Sequence, residues 1–270
     1  MLQLLLSKLV IILIPIIFLG CDSAQERNLK AGLRYQAAGD YREALAEFDN
    51  TMKRAPEKPA AIRAARESAK ILVFELKNYE KAINVLKFLI LYSTDAEERW
   101  RSQSQIAQIY FDNLGRYEKA LIEYEKLLSN QISRQEKTRI RLAIARCYYY
   151  LGQFSLSWNE ANLILQESDL SPEIDFDTQY LQANIQLTEK KYSEAAKALE
   201  VLNKKFPERA KKENVAINLS LCYEEIGNHI DAVRVLEEIK PFYEPKEYIE
   251  LRIKKIRDTF SDLPRKKPKE

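Results

Sequence analysis

Six glycines and a single histidine in 270 residues exclude several architectures and chemistries together. So little glycine leaves few left-handed turn residues for a sandwich or barrel of many short strands. With Ala, Leu, Glu and Lys abundant instead, the composition favours an all-helical chain. The lone histidine is His229, and no Ser, Cys or Asp near it in sequence builds a catalytic triad. Glycine-rich phosphate loops and clustered metal ligands are absent from the sequence, so neither cofactor nor metal is expected. Charge of one sign is missing too: Lys+Arg 43 against Asp+Glu 40 leaves a net +3, which carries no footprint of a nucleic-acid partner. The apolar run Leu9 to Leu19 falls short of the roughly 20 residues that span a bilayer core.

What that run does have is a basic residue before it, Lys8, and Gly20-Cys21-Asp22 after it. A charged start, a short apolar middle and a small residue before a cut define a secretory signal over residues 1–20. With a cysteine next, Phe18-Leu19-Gly20-Cys21 resembles the lipobox of bacterial lipoproteins. The resemblance implies cleavage before Cys21, thioether lipidation of its sulfur and an acylated amino group. Two or three acyl chains hold a protein in a membrane where one binds only marginally. The expected location is therefore a bacterial membrane facing the periplasm. Family resemblance favours the outer membrane, and Asp22 after the lipidated cysteine is the feature that favours the inner one.

The rest of the sequence repeats itself. Gly39-Asp40-Tyr41, Asn78-Tyr79, Gly115-Arg116-Tyr117, Gly152-Gln153-Phe154, Lys191-Tyr192 and Gly227-Asn228-His229 each lead to a small residue. Those small residues, Ala44, Ala82, Ala120, Ser157, Ala195 and Ala232, recur every 37 or 38 residues. Apolar residues at helical period flank each copy, as in Ala107/Tyr110 before and Ala120, Leu121, Tyr124, Leu127 after, which predicts helical hairpins. Gly32 is expected where two helices approach closely. Capping-box spacing at Ser23/Glu26, Thr94/Glu97 and Ser133/Glu136, and Ser171-Pro172, marks helix starts. Prolines 56, 59, 172, 207, 241 and 245 all fall between hairpins.

The first copy, Gly32 through Tyr35, Gly39-Asp40-Tyr41, Ala44, Phe48 and Pro56, resembles the tetratricopeptide repeat. That resemblance covers roughly residues 24–240 and implies an all-α, right-handed superhelical solenoid of about six hairpins. The segments are 24–58, 59–94, 95–131, 132–169, 170–207 and 208–241. A helix over 242–260, with Tyr248, Leu251 and Ile256 on one side, is expected to cap the array. Residues 261–270 read as a basic, solvated tail, with anionic lipid as the alternative contact.

Within this frame His229 stands where other copies place tyrosine and reads as a packing residue. Cys147 and Cys222 occupy equivalent places two copies apart. At roughly 10 Å per stacked hairpin they lie beyond disulfide reach and read as buried thiols. Asp175/Asp177 and Glu224/Glu225 do not aim at a common substrate atom, so no catalytic residues are expected.

In arrays of this family the first helix of each hairpin lines the concave groove. Projecting that face selects Arg63, Arg66, Lys70, Arg101, Phe111, Arg139, Arg146, Tyr149 and Tyr150, and, in the sixth copy, Asn214, Ile217, Leu221, Glu224 and Glu225. Arginine and tyrosine dominate interface energetics, so the groove suits an acidic or carboxyl-terminated segment of another envelope protein. A solvated helix face is the alternative for the same residues. The expected function is a scaffold assisting assembly of envelope or outer-membrane proteins, with a pilotin-like factor for a secretin or pilus as the nearer rival. A peptidoglycan-processing enzyme or activator is the rival of another class.

Overall fold

The computed structural model describes residues 24–129 and 132–260. The signal segment, Cys21, Asp22, the cap at Ser23 and the basic tail lie outside the described residues. All elements among the described residues are helices. The chain divides into two compact units, one reaching to Ser102 and one beginning at Gln103.

The first unit holds α1 (Ala24–Ala38), α2 (Tyr41–Arg54), α3 (Pro59–Lys70), α4 (Tyr79–Tyr92) and the start of α5 (Ala96–Gln108). α1 and α2 form a hairpin, α3 packs against both, and α4 folds back on α3. The core joins Leu29, Ala44, Phe48, Ala60, Ala64 and Ile71. Gly32 is indeed the close approach: a Cβ there would sit 2.5 Å from the fully buried Phe48 ring.

The second unit continues through α6 (Tyr117–Leu128), α7 (Arg134–Tyr150), α8 (Phe154–Leu165), α9 (Pro172–Thr188) and α10 (Tyr192–Lys205). It ends with α11 (Pro207–Lys212), α12 (Val215–Glu225), α13 (His229–Ile239) and α14 (Lys246–Thr259). Each helix packs on its sequence neighbour, and α7 also packs on α9 and α10 on α12, which is how stacked hairpins bury their apolar faces. Ala44, Ala82, Ala120, Ser157, Ala195 and Ala232 are all 0% exposed. Ser157 keeps its hydroxyl satisfied there by donating to the Ala145 carbonyl at 2.7 Å.

The intra-hairpin turns share one device. In the first, Asp40 N–H donates back to Tyr35 O at 2.9 Å over a left-handed Gly39 (φ +84°). The same bond recurs from Gln153 to Tyr148 and from Asn228 to Tyr223, both 2.8 Å. Two copies lack the glycine, and Lys77 (φ 49°) and Lys190 (φ 61°) take the left-handed place instead.

Several local expectations are corrected. α3 and α5 end in π-helical turns, Ile71–Glu75 and Ile109–Asn113, which the apolar period did not signal. Asp95, not Thr94, caps α5, its carboxylate accepting from Glu97 N–H at 2.9 Å, because it is the side chain nearest the unpaired amides. Ser133 does form the full capping box with Glu136. Asn214 is not on a helix face: the chain breaks there with φ 54° between the separate α11 and α12. In α14 the buried stripe is Ile249, Ile253 and Ile256, whose spacing follows one helix face, leaving Leu251 67% exposed and Tyr248 42% exposed.

Two substitutions of opposite sign follow. Gly32→Ala should destabilise the chain by about 1–3 kcal/mol through the Phe48 clash. Lys190→Gly, relieving a left-handed non-glycine residue, should stabilise it by about 1 kcal/mol. Urea unfolding followed by circular dichroism measures both.

Candidate functional site

Arg139, Arg146 and Tyr150 lie at helical spacing along one face of α7. The face ends in an aromatic ledge. Tyr150 stacks on Tyr117 at 4.7 Å between centroids and 12° between planes. Phe111 meets both edge-on, at 5.3 Å from Tyr117 and 5.5 Å from Tyr150. Tyr149 lies at 5.4 Å from Tyr150 and 5.7 Å from Phe154, and its hydroxyl is 3.1 Å from Thr188 Oγ1. Tyr150 remains 54% exposed, so the rings order one another while leaving contact area to offer. Their position is the turn end of the hairpins, since Tyr117 and Phe154 start second helices while Phe111 and Tyr150 close first ones.

The basic residues are less available than the sequence suggests. Arg146 Nη2 donates to Asp177 Oδ2 at 2.8 Å; Arg209 donates to Asp177 Oδ1 at 2.9 Å and to Glu213 at 3.1 Å. Asp177 is thereby a carboxylate shared between arginines of α7 and α11. In the first unit, Arg66 donates to Glu98 at 2.8 Å, Lys70 pairs with Glu67 at 2.8 Å and Arg101 with Glu97 at 2.9 Å. Arg63 and Arg139 are exposed. The sixth-copy face is partly covered, because Arg252 of α14 pairs with Glu224 at 2.5 Å.

Sequence reasoning missed these acidic partners, yet a signal exists. Arg66 meets Glu98 32 residues on, Arg146 meets Asp177 31 on, and Asp177 meets Arg209 32 on. A first-helix residue thus reaches a position slightly less than one repeat ahead on the next such helix. Opposite charges at that offset are the readable pattern.

The chemically reactive candidates occupy packed positions. Cys147 and Cys222 are both buried and unpaired with each other. Burial pushes the Cys147 thiol up to about 12 and the Cys222 thiol up to about 11, so neither supplies a thiolate near neutrality. His229 stacks on Phe260, 3.3 Å between centroids. Among the described residues no group of His, Cys, Asp and Glu is placed to hold a metal ion, and no helix is long and apolar enough to cross a membrane.

Two segments match the tetratricopeptide-repeat family, residues 101–131 and 177–209. Among solved structures, the chain is similar to a tetratricopeptide repeat protein from Parabacteroides merdae, with TM-score 0.60 and 18% identity over 87% of this chain and 86% of that one. It is similar to PilW, a widely conserved type IV pilus biogenesis factor, with TM-score 0.55 and 15% identity over 84% and 99%. It also resembles YrrB, described as a repeat protein with an unusual peptide-binding site, with TM-score 0.51 and 15% identity over 77% and 97%. Comparison with curated proteins gives no match.

Asp177→Asn should cost about 1–2 kcal/mol, reduced from a buried network's value by the half-exposed arginines. Denaturant midpoints for the variant and its parent check it; equal midpoints would show that the shared carboxylate holds nothing.

Proposed function

We propose, from the premise that this chain is an array of tetratricopeptide repeats, that it is a protein-interaction scaffold of the bacterial cell envelope. Cys21 tethers it to the membrane by lipidation, and the array faces the periplasm. The observation that carries the reading is the face of α7. An exposed arginine, Arg139, and an ordered ledge of half-open tyrosines lie on one face of α7, about 15 Å apart along its axis, whereas Arg66, Arg101 and Arg146 are engaged by carboxylates. Large planar side chains that are already held in place bind a partner at low entropic cost. The preferred ligand is an extended acidic segment or a carboxyl terminus, with Arg139 for the charge and Tyr149 and Tyr150 for the apolar area. Arg63, Arg66, Lys70 and Arg101 form a separate basic face on the first unit, of which Arg63 is the residue most available to a partner.

Burial holds the Cys147 and Cys222 thiols protonated near neutrality, and the reading is one of binding. A second reading has the likeness to PilW in its favour: a factor that escorts a pilus subunit or a secretin. Both readings share the tether and the α7 face and differ in the partner.

In-cell cross-linking followed by identification of the captured protein tests them. Arg139→Glu with Tyr150→Ala should lower capture at least about tenfold, as loss of interface anchors does, with helical content unchanged. Cys21→Ala should release the protein from sedimented membranes. A β-barrel assembly component in the adduct supports the first reading and a secretin or pilin the second; capture undiminished by the double variant removes the α7 face from the account.

A further inference from the structure

The start of α8, the end of α9 and the start of α10 enclose a cleft of about 470 Å³. Its size falls within the range of small-ligand pockets. Ile185, 1% exposed, forms its floor, and Phe154 and Trp158 supply aromatic walls. Gln186 also lines it, and the buried Oε1 of that side chain has no hydrogen-bond partner. Glu189 and Glu194 stand at the rim. The one cation lining the cleft, Lys191, is held by Glu189 at 2.8 Å, which leaves the Glu194 carboxylate exposed at the mouth.

These groups share one chemical preference. A buried amide oxygen without a donor is a cost that a ligand N–H removes. Carboxylates attract a positive group and repel an anion. The face of an indole attracts a cation through its ring quadrupole. The carboxyl end of α9 adds the negative end of a helix dipole at the same place. Ile185 and the aromatic walls suit an apolar stem behind the charge.

We propose that this cleft receives a lysine side chain of a partner polypeptide. The methylene stem lies along Phe154 and Trp158, and the ammonium donates to Gln186 Oε1 and Glu194. The cleft borders the tyrosine ledge through Phe154, but its charge comes from Glu194 of α10 and its indole from Trp158, neither of which the α7 reading uses, so variants at those two residues test the cleft alone.

The test labels the tryptophans of the full chain with ¹⁵N and follows the Trp158 indole N–H during titration with acetylated tetralysine amide. Tetraglutamate and an N-acetylglucosamine tetramer serve as comparison ligands. A saturable shift of Trp158 with tetralysine only, Trp100 unmoved, is expected. Glu194→Gln should weaken binding about threefold and Trp158→Leu about fivefold or more, while Glu173→Gln, an exposed acid elsewhere on α9, leaves it unchanged. Circular dichroism confirms that each variant is folded. Absence of a tetralysine shift, a stronger response to the sugar, or equal weakening by Glu173→Gln overturns the proposal.

Discussion

The constraint on which this structure depends is the closeness of two helices at one residue per hairpin. Six small side chains, from Ala44 to Ala232, are fully buried at that point. A hairpin narrow there can bring both helices against the next hairpin, so that apolar residues that two helices cannot cover are covered by a third and a fourth. Phe48 over Gly32 shows the same requirement from the opposite helix. Larger side chains at these points would separate the helices and uncover the stripe on which stacking relies.

With the stack set, the first helices carry charge past one another in a regular way. Arg66 to Glu98 in the first unit, and Arg146 to Asp177 to Arg209 in the second, are contacts between successive hairpins. Each neutralises an arginine that would otherwise serve a ligand. Availability for binding is therefore decided by where the ladder has gaps, and Arg139, on the same face of α7 as the tyrosine ledge, is such a gap. The cleft beneath α8 and α10 is the complementary case: its acceptors exceed its donors, and Lys191 answers only Glu189.

Much of the fold could be read from the sequence because its determinants are local and repeated. The small residue, the glycine turn and the proline boundary each leave a residue type at a fixed spacing. Lys77 and Lys190 in left-handed turns were not readable as such, because the stack imposes a conformation that their own preference opposes. The stripe on α14 is not legible because Leu251 looks like core, whereas Ile249 and Ile253 join the buried cluster that holds Val233 and Leu236 of α13. At the candidate site, residue types and the helix face were legible. The pairing was not, since Glu98 and Asp177 lie on the next first helix, a distance that single-helix periodicity does not register. Trp158, Gln186 and Glu194 come from three helices, and no spacing along the chain gathers them.

The most direct measurement of the central constraint is the unfolding free energy of Ala195→Leu, compared with Lys197→Leu, which adds a leucine at an exposed position of the same helix. Overpacking at the crossing should cost about 1–3 kcal/mol or more, while the control stays within about 0.5 kcal/mol of the parent. An Ala195→Leu protein as stable as its parent, with the same cooperativity, would contradict the account.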